Sequence, residues 1–182
     1  MKFVVVTVLA GMMLAPLASA QKLELKFDAI AAKASEKAEV DLDGALLKLA
    51  LQHGLAKKDK EGKSAAGELL SGVQEIHVRN YEFEKEGSYS DKDLEPLRKQ
   101  VSESSGWSRI VNVKEKSEST EVFVFSQAGK VGSCLILSAE AKELTVVYIM
   151  GTLTLAQMKE LVNSNIAYNL AGLTALAEQP SK

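Results

Sequence analysis

The sequence predicts an α+β domain: a mainly antiparallel sheet of about five strands with helices packed on it. Three observations carry that reading. Residues 107–150 hold four apolar, strand-like segments whose connections are too short for crossover helices, so antiparallel hairpins are the default. Helical spacing dominates before them, interrupted by one strand, and returns after them. Val122 to Phe125, Leu135 to Leu137 and Leu144 to Met150 are apolar at both parities, whereas a one-sided sheet should alternate, so both faces are expected to be covered, by helices.

The predicted order is α-α-α-β-α-β-β-β-β-α. Phe27, Ile30, Ala31, Ala34 and Ala38 recur at helical spacing and predict a first helix over 26–38. Asp43 is placed to cap a second, whose apolar stripe is Leu46, Leu47, Ala50 and Leu51 and whose stop is Gly54. A charged linker over 56–63 leads to a short third helix at 64–71. From Gln74 the period becomes that of a strand. Ile76 and Val78 share one face, while Tyr81 and Phe83 have the opposite parity; this slip near Arg79 and Asn80 means either a β-bulge or a strand covered on both sides.

Leu94, Leu97 and Val101 mark a fourth helix. Ser90 and Asp93 resemble a capping box, but Pro96 would then lie six places into the helix, so the expected cap is Asp93, which puts Pro96 in the first turn. The four strands are expected at 107–114, 120–127, 130–138 and 143–150, with Ala128 and Gly129 as the tightest turn. Thr154 and Gln157 form a capping-box pair before a fifth helix with Leu155, Met158, Leu161, Val162 and Ile166 on its apolar face. Residues 21–170 read as one domain, and 171–182 as a weakly ordered tail.

Residues 1–20 read as a cleavable secretory signal. Lys2 is the basic start, Phe3 to Leu17 supply an apolar run too short for a membrane span, and Ala18-Ser19-Ala20 place small residues before a cut after Ala20. Gln21 follows that cut, where a lipid anchor would need cysteine. The expected location is therefore periplasmic or secreted, with no membrane span after cleavage. Net charge moves from −2 to −3 when Lys2 leaves, and the densest basic run, Lys57 to Lys63, is broken by acids. A nucleic-acid surface would need clustered basic excess, so no nucleic-acid partner is expected.

Chemistry is sparse. The single cysteine, Cys134, permits no intramolecular disulfide and sits in an apolar strand, where it is expected to act as a small buried hydrophobe. No metal site is expected, because His53 and His77 form no pair at ligand spacing and one thiol cannot build a zinc site. Asp91, Asp93 and Glu95 are read as helix-start carboxylates. No glycine-rich phosphate loop or nucleophile elbow occurs, and no cofactor is expected. Catalytic, cofactor-binding and metal residues are thus assigned to none. The best place for a polar site is the strand in which alternation puts His77, Arg79 and Tyr81 on one face; the plain alternative is a solvent-facing edge with Arg79 paired to Glu82 or Glu84. Trp107 is expected as a core or hairpin-end anchor.

Leu42-Asp43-Gly44, Val78-Arg79 with Tyr81-Glu82-Phe83, Gly106 to Val111, and Glu143 to Val147 together resemble the bacterial family called domain of unknown function 4252, over roughly residues 27 to 165. Pro96 departs from its pattern. The resemblance implies a small exported protein with no established activity, encoded at times near extracytoplasmic-type sigma factors, and so points to envelope signalling. The function expected is a non-enzymatic binding or interaction module of the cell envelope, its partner an unidentified protein or small ligand. A periplasmic hydrolase using His77 and Arg79, and a structural homo-oligomer subunit pairing through a sheet face or edge, are the alternatives.

Overall fold

A computed structural model describes residues 22–53, 72–127, 130–154 and 156–157. Six strands form one sheet: β1 (Glu36–Asp43), β2 (Val73–Glu82), β3 (Trp107–Glu115), β4 (Glu118–Gln127), β5 (Lys130–Ala139) and β6 (Glu143–Leu153). Their order is β1-β2-β6-β5-β4-β3, and all five pairings are antiparallel. Among the described residues helix forms as a single turn, α1 (Asp28–Ala31), then as α2 (Gly44–His53) and α3 (Asp91–Gln100), with a 3₁₀ turn at Glu103–Ser105.

The α+β class and the hairpin order agree with the sequence. The first element does not. Where a helix was expected over 26–38, only α1 forms, and the chain then enters a sixth strand, so the order begins α-β-α. Alanine-rich filling suggests a helix, but Ala38, Val40 and Leu42 alternate with Lys37, Glu39, Asp41 and Asp43, and it is this period of two that the sheet uses. The predicted signal, the linker and third helix over 56–71, the stop at Gly54, the turn at 128–129 and the tail lie outside the described residues. Of the fifth helix only its start is described, where Thr154 Oγ1 accepts from the Gln157 amide at 3.2 Å and Gln157 Oε1 from the Thr154 amide at 2.9 Å, the capping pair expected.

Both faces of the sheet are apolar. The first carries Tyr81, Phe83, Phe123, Leu135, Leu137, Leu144, Val146 and Tyr148 under Leu23, Phe27, Ile30 and the α3 residues Leu94 and Leu97. The second carries Ile76, Val78, Val122, Val124, Cys134, Val147 and Ile149, with Leu47 of α2 packed on it. This resolves the parity slip in β2. Pairing runs without a break from Ile76 to Glu82 against β6, so there is no bulge at Arg79 and Asn80; Ile76 and Val78 enter the second core, and Tyr81 the first. The bulge in β2 lies instead between Val73 and Glu75.

Two caps differ in outcome. Asp43 Oδ1 accepts from the Ala45 and Leu46 amides, each at 2.9 Å, as an N-cap should, although Leu46 turns to solvent and Leu47 to the core. The α3 cap is Ser90 rather than Asp93: the Ser90 amide and hydroxyl both donate to Asp93 Oδ2, at 2.8 and 2.9 Å, and Pro96 stays inside the helix. Proline removes only the bond to the Lys92 carbonyl, and Lys92 is exposed to water, while Leu94 and Leu97 are buried. Trp107 begins β3 as a buried anchor against Phe125, ring centroids 5.8 Å apart, after Gly106 turns the chain at φ 83°. No described helix is long and apolar enough to cross a membrane.

Candidate functional site

Antiparallel register sets Asp41 of β1 beside His77 of β2, and His77 beside Tyr148 of β6, on the first face. Glu39 lies beside Arg79 in the next row and Lys37 beside Tyr81 in the row after. The sequence therefore placed His77, Arg79 and Tyr81 correctly on one face, but their partners come from the strand read as helix.

His77 is held at both ring nitrogens: Nδ1 to Asp41 Oδ1 at 2.6 Å and Nε2 to Glu75 Oε2 at 3.1 Å. Carboxylates only accept, so both bonds form together only when each nitrogen carries its proton. The ring also stacks on Tyr148, centroids 5.8 Å apart at 15°. Arg79 is equally occupied. Its Nη2 meets Asp41 Oδ1 at 2.8 Å and Oδ2 at 3.1 Å, and its Nη1 donates to the Val78 and Val40 carbonyls at 2.9 and 3.2 Å. The plain alternative therefore needs correction: Arg79 pairs across the strands with Asp41, not with Glu82 or Glu84, because alternation and register bring β1 alongside, and β2 is an interior strand.

Electrostatics follow from this wiring. Burial alone pushes the Asp41 carboxyl up, but the hydrogen bonds from His77 and Arg79 and their charges together outweigh it and hold it below its ordinary value. Tyr81 is buried against Phe27 and donates to Glu39 Oε1 at 2.8 Å; burial first, then that bond and charge, push its hydroxyl well up. Cys134 lies buried on the other face, and burial pushes its thiol up to about 12.

A strap covers this row. Residues Lys22, Glu24 and Lys26 point outward while Leu23 and Phe27 are buried, and the Gln100 amide grips the strap backbone at Glu24, accepting from its nitrogen at 2.8 Å and donating to its oxygen at 3.1 Å. Lys22, Leu23, Leu25, Asp41, His77 and Arg79 line a shallow concavity of about 200 Å³, below the range of about 300–1,000 Å³ usual for small-molecule sites. Tyr81 does not line it. Among the described residues no group of three or more His, Cys, Asp or Glu could hold a metal ion.

A second charged cluster escaped sequence reasoning. Glu121 of β4 is buried and accepts from Arg98 Nε of α3 at 2.7 Å and from Arg109 Nη1 of β3 at 2.9 Å, while Arg98 also reaches Asp91 at 3.2 Å. An acid directly before the apolar run Val122 to Phe125 was the one available signal.

Fold and cluster together define a small α+β domain on a single six-stranded antiparallel sheet, whose polar residues on the covered face are tied to one another. The chain belongs to the family described as Domain of unknown function (DUF4252), whose family model matches residues 32–161. That span contains all six strands and begins after the strap. No curated protein and no solved structure matches the chain.

Proposed function

We propose that this chain is an exported, non-enzymatic binding module of the bacterial cell envelope, with the role in envelope signalling that its family resemblance implies. One observation carries the non-enzymatic part: both nitrogens of His77 are taken by carboxylates, which leaves none to activate a hydroxyl, thiol or water. The hydrolase alternative asks for that free nitrogen. The partner is a protein or a small ligand of the envelope, and the concavity beside His77, about 200 Å³, is small for a metabolite. Export itself rests on the signal-like pattern of residues 1–20.

Two measurements test this. The full chain, expressed in a bacterial host and fractionated, should appear in the periplasm or medium with Gln21 as its first residue; an unprocessed cytoplasmic chain would refute the export. Purified protein should turn over nothing in a hydrolase substrate screen. A turnover that is lost on both His77→Ala and Arg79→Ala would overturn the binding-module reading in favour of the hydrolase.

A further inference from the structure

We infer that the two edges of the sheet are complementary and that a second copy of this chain docks β3 against β1, extending the sheet from one molecule into the next. The inference names a partner for the binding module just proposed, but it rests on topology and charge rather than on export.

Among the described residues β1 and β3 each have one strand neighbour. Five antiparallel pairings in a row reverse direction five times, so β1 and β3 run in opposite senses. A copy moved along the sheet without turning over therefore brings its β3 antiparallel to β1, with first face meeting first face. Antiparallel pairing satisfies the outward N–H and C=O groups that an edge leaves open.

Side chains choose this pairing over like-with-like. Along β1 stand Glu36, Glu39, Asp41 and Asp43 against the single base Lys37. Along β3 from Val111 on, and in its turn, stand Lys114 and Lys116 against Glu115, Arg109 being tied to Glu121. Two β1 edges would set acid against acid, and two β3 edges base against base; unlike edges attract. One register pairs apolar residues on the second face and sets an acid against a base on the first, with Lys37 beside Lys116 only at its end, where β3 passes into its turn. With Val40 opposite Val113, Leu42 falls opposite Val111 on the second face, while Glu39 meets Lys114 and Asp41 meets Asn112 on the first. The pairing covers Val113, which is 48% exposed, and continues the apolar row that Val40, Leu42 and Val111 already line. The bulge between Arg109 and Val111 confines the contact to residues from Val111 on, so the interface is short and its affinity low. Such a head-to-tail contact does not close on itself and builds open chains.

Cross-linking tests the inference. Val40→Cys and Val113→Cys are made in separate chains of the purified protein carrying Cys134→Ser. Mixed and mildly oxidised, they should give a disulfide dimer containing one of each, and neither variant alone should dimerise. Glu39→Lys in the first chain, or Lys114→Glu in the second, should each lower the mixed dimer roughly fivefold, and both together should restore it. Equal dimerisation of either variant alone, a mixture that stays monomeric, or a charge swap that fails to rescue would each overturn the inference. A chain that is not exported yet forms the mixed dimer refutes only the envelope reading, and an exported chain that forms none refutes only this one.

Discussion

The two charged clusters on the first face are inverses of each other. Around Asp41 the carboxylate is outside, its side chain 57% exposed, and the cations are inside, His77 at 19% and Arg79 at 13%. Around Glu121 the carboxylate is inside at 6%, and Arg98 and Arg109 sit outside at 26% and 48%. The same pairing of acid and base thus has opposite weak points. A buried charge that loses its partners strands a desolvated ion, whereas losing the exposed member leaves the buried one to its remaining hydrogen bonds. Among the described residues Glu121 leans on its two arginines, while Arg79 also holds two backbone carbonyls.

The sharpest break in the comparison is therefore Arg98→Met with Arg109→Met. Both partners of Glu121 leave, and urea denaturation should show a loss of about 3–5 kcal/mol, the usual cost of an uncompensated buried charge. Adding Glu121→Leu to the pair should recover most of that loss, since it removes the stranded ion. A double variant within about 1 kcal/mol of the parent would mean that Glu121 is hydrated rather than held by its arginines.

Asp41→Asn should cost less, about 1–2 kcal/mol by the same measurement, because Arg79 keeps the Val40 and Val78 carbonyls and His77 keeps Glu75. A loss as large as that of the arginine pair would erase the asymmetry between the clusters and make Asp41 the keystone of β1.

What the sequence could show of all this follows the range of each signal. The hairpins from Trp107 to Leu153 were legible because each strand pairs with its chain neighbour. The face shared by His77, Arg79 and Tyr81 was legible because alternation is local. The partners were not: Asp41 lies 36 residues from His77 and 38 from Arg79, and the strand carrying it was hidden behind alanine spacing that also fits a helix. Glu121 was out of reach for the same reason, with Arg98 23 residues away on a helix whose rotation no local pattern fixes. At Pro96 the local rule was sound but outweighed, since burial of Leu94 and Leu97 exceeds one missing bond on the side of the helix where Lys92 and Pro96 are exposed.

The smallest expected effect separates the clusters by pH. In the folded chain the Asp41 carboxyl titrates below the value of 3.8 it has when unfolded, because the His77 and Arg79 hydrogen bonds and charges outweigh its burial. A group whose folded value is depressed contributes stability that is complete above the unfolded value and disappears as pH falls through the folded one. Asp41 should thus steepen the acid limb of the stability profile below pH 3.8. In Asp41→Asn that acid limb should be shallower than in the parent, measured as denaturation midpoints at stepped pH. A parallel offset at every pH would mean that Asp41 acts through its hydrogen-bonding shape alone, and that the charge it places against Arg79 contributes nothing to holding β1 on the sheet.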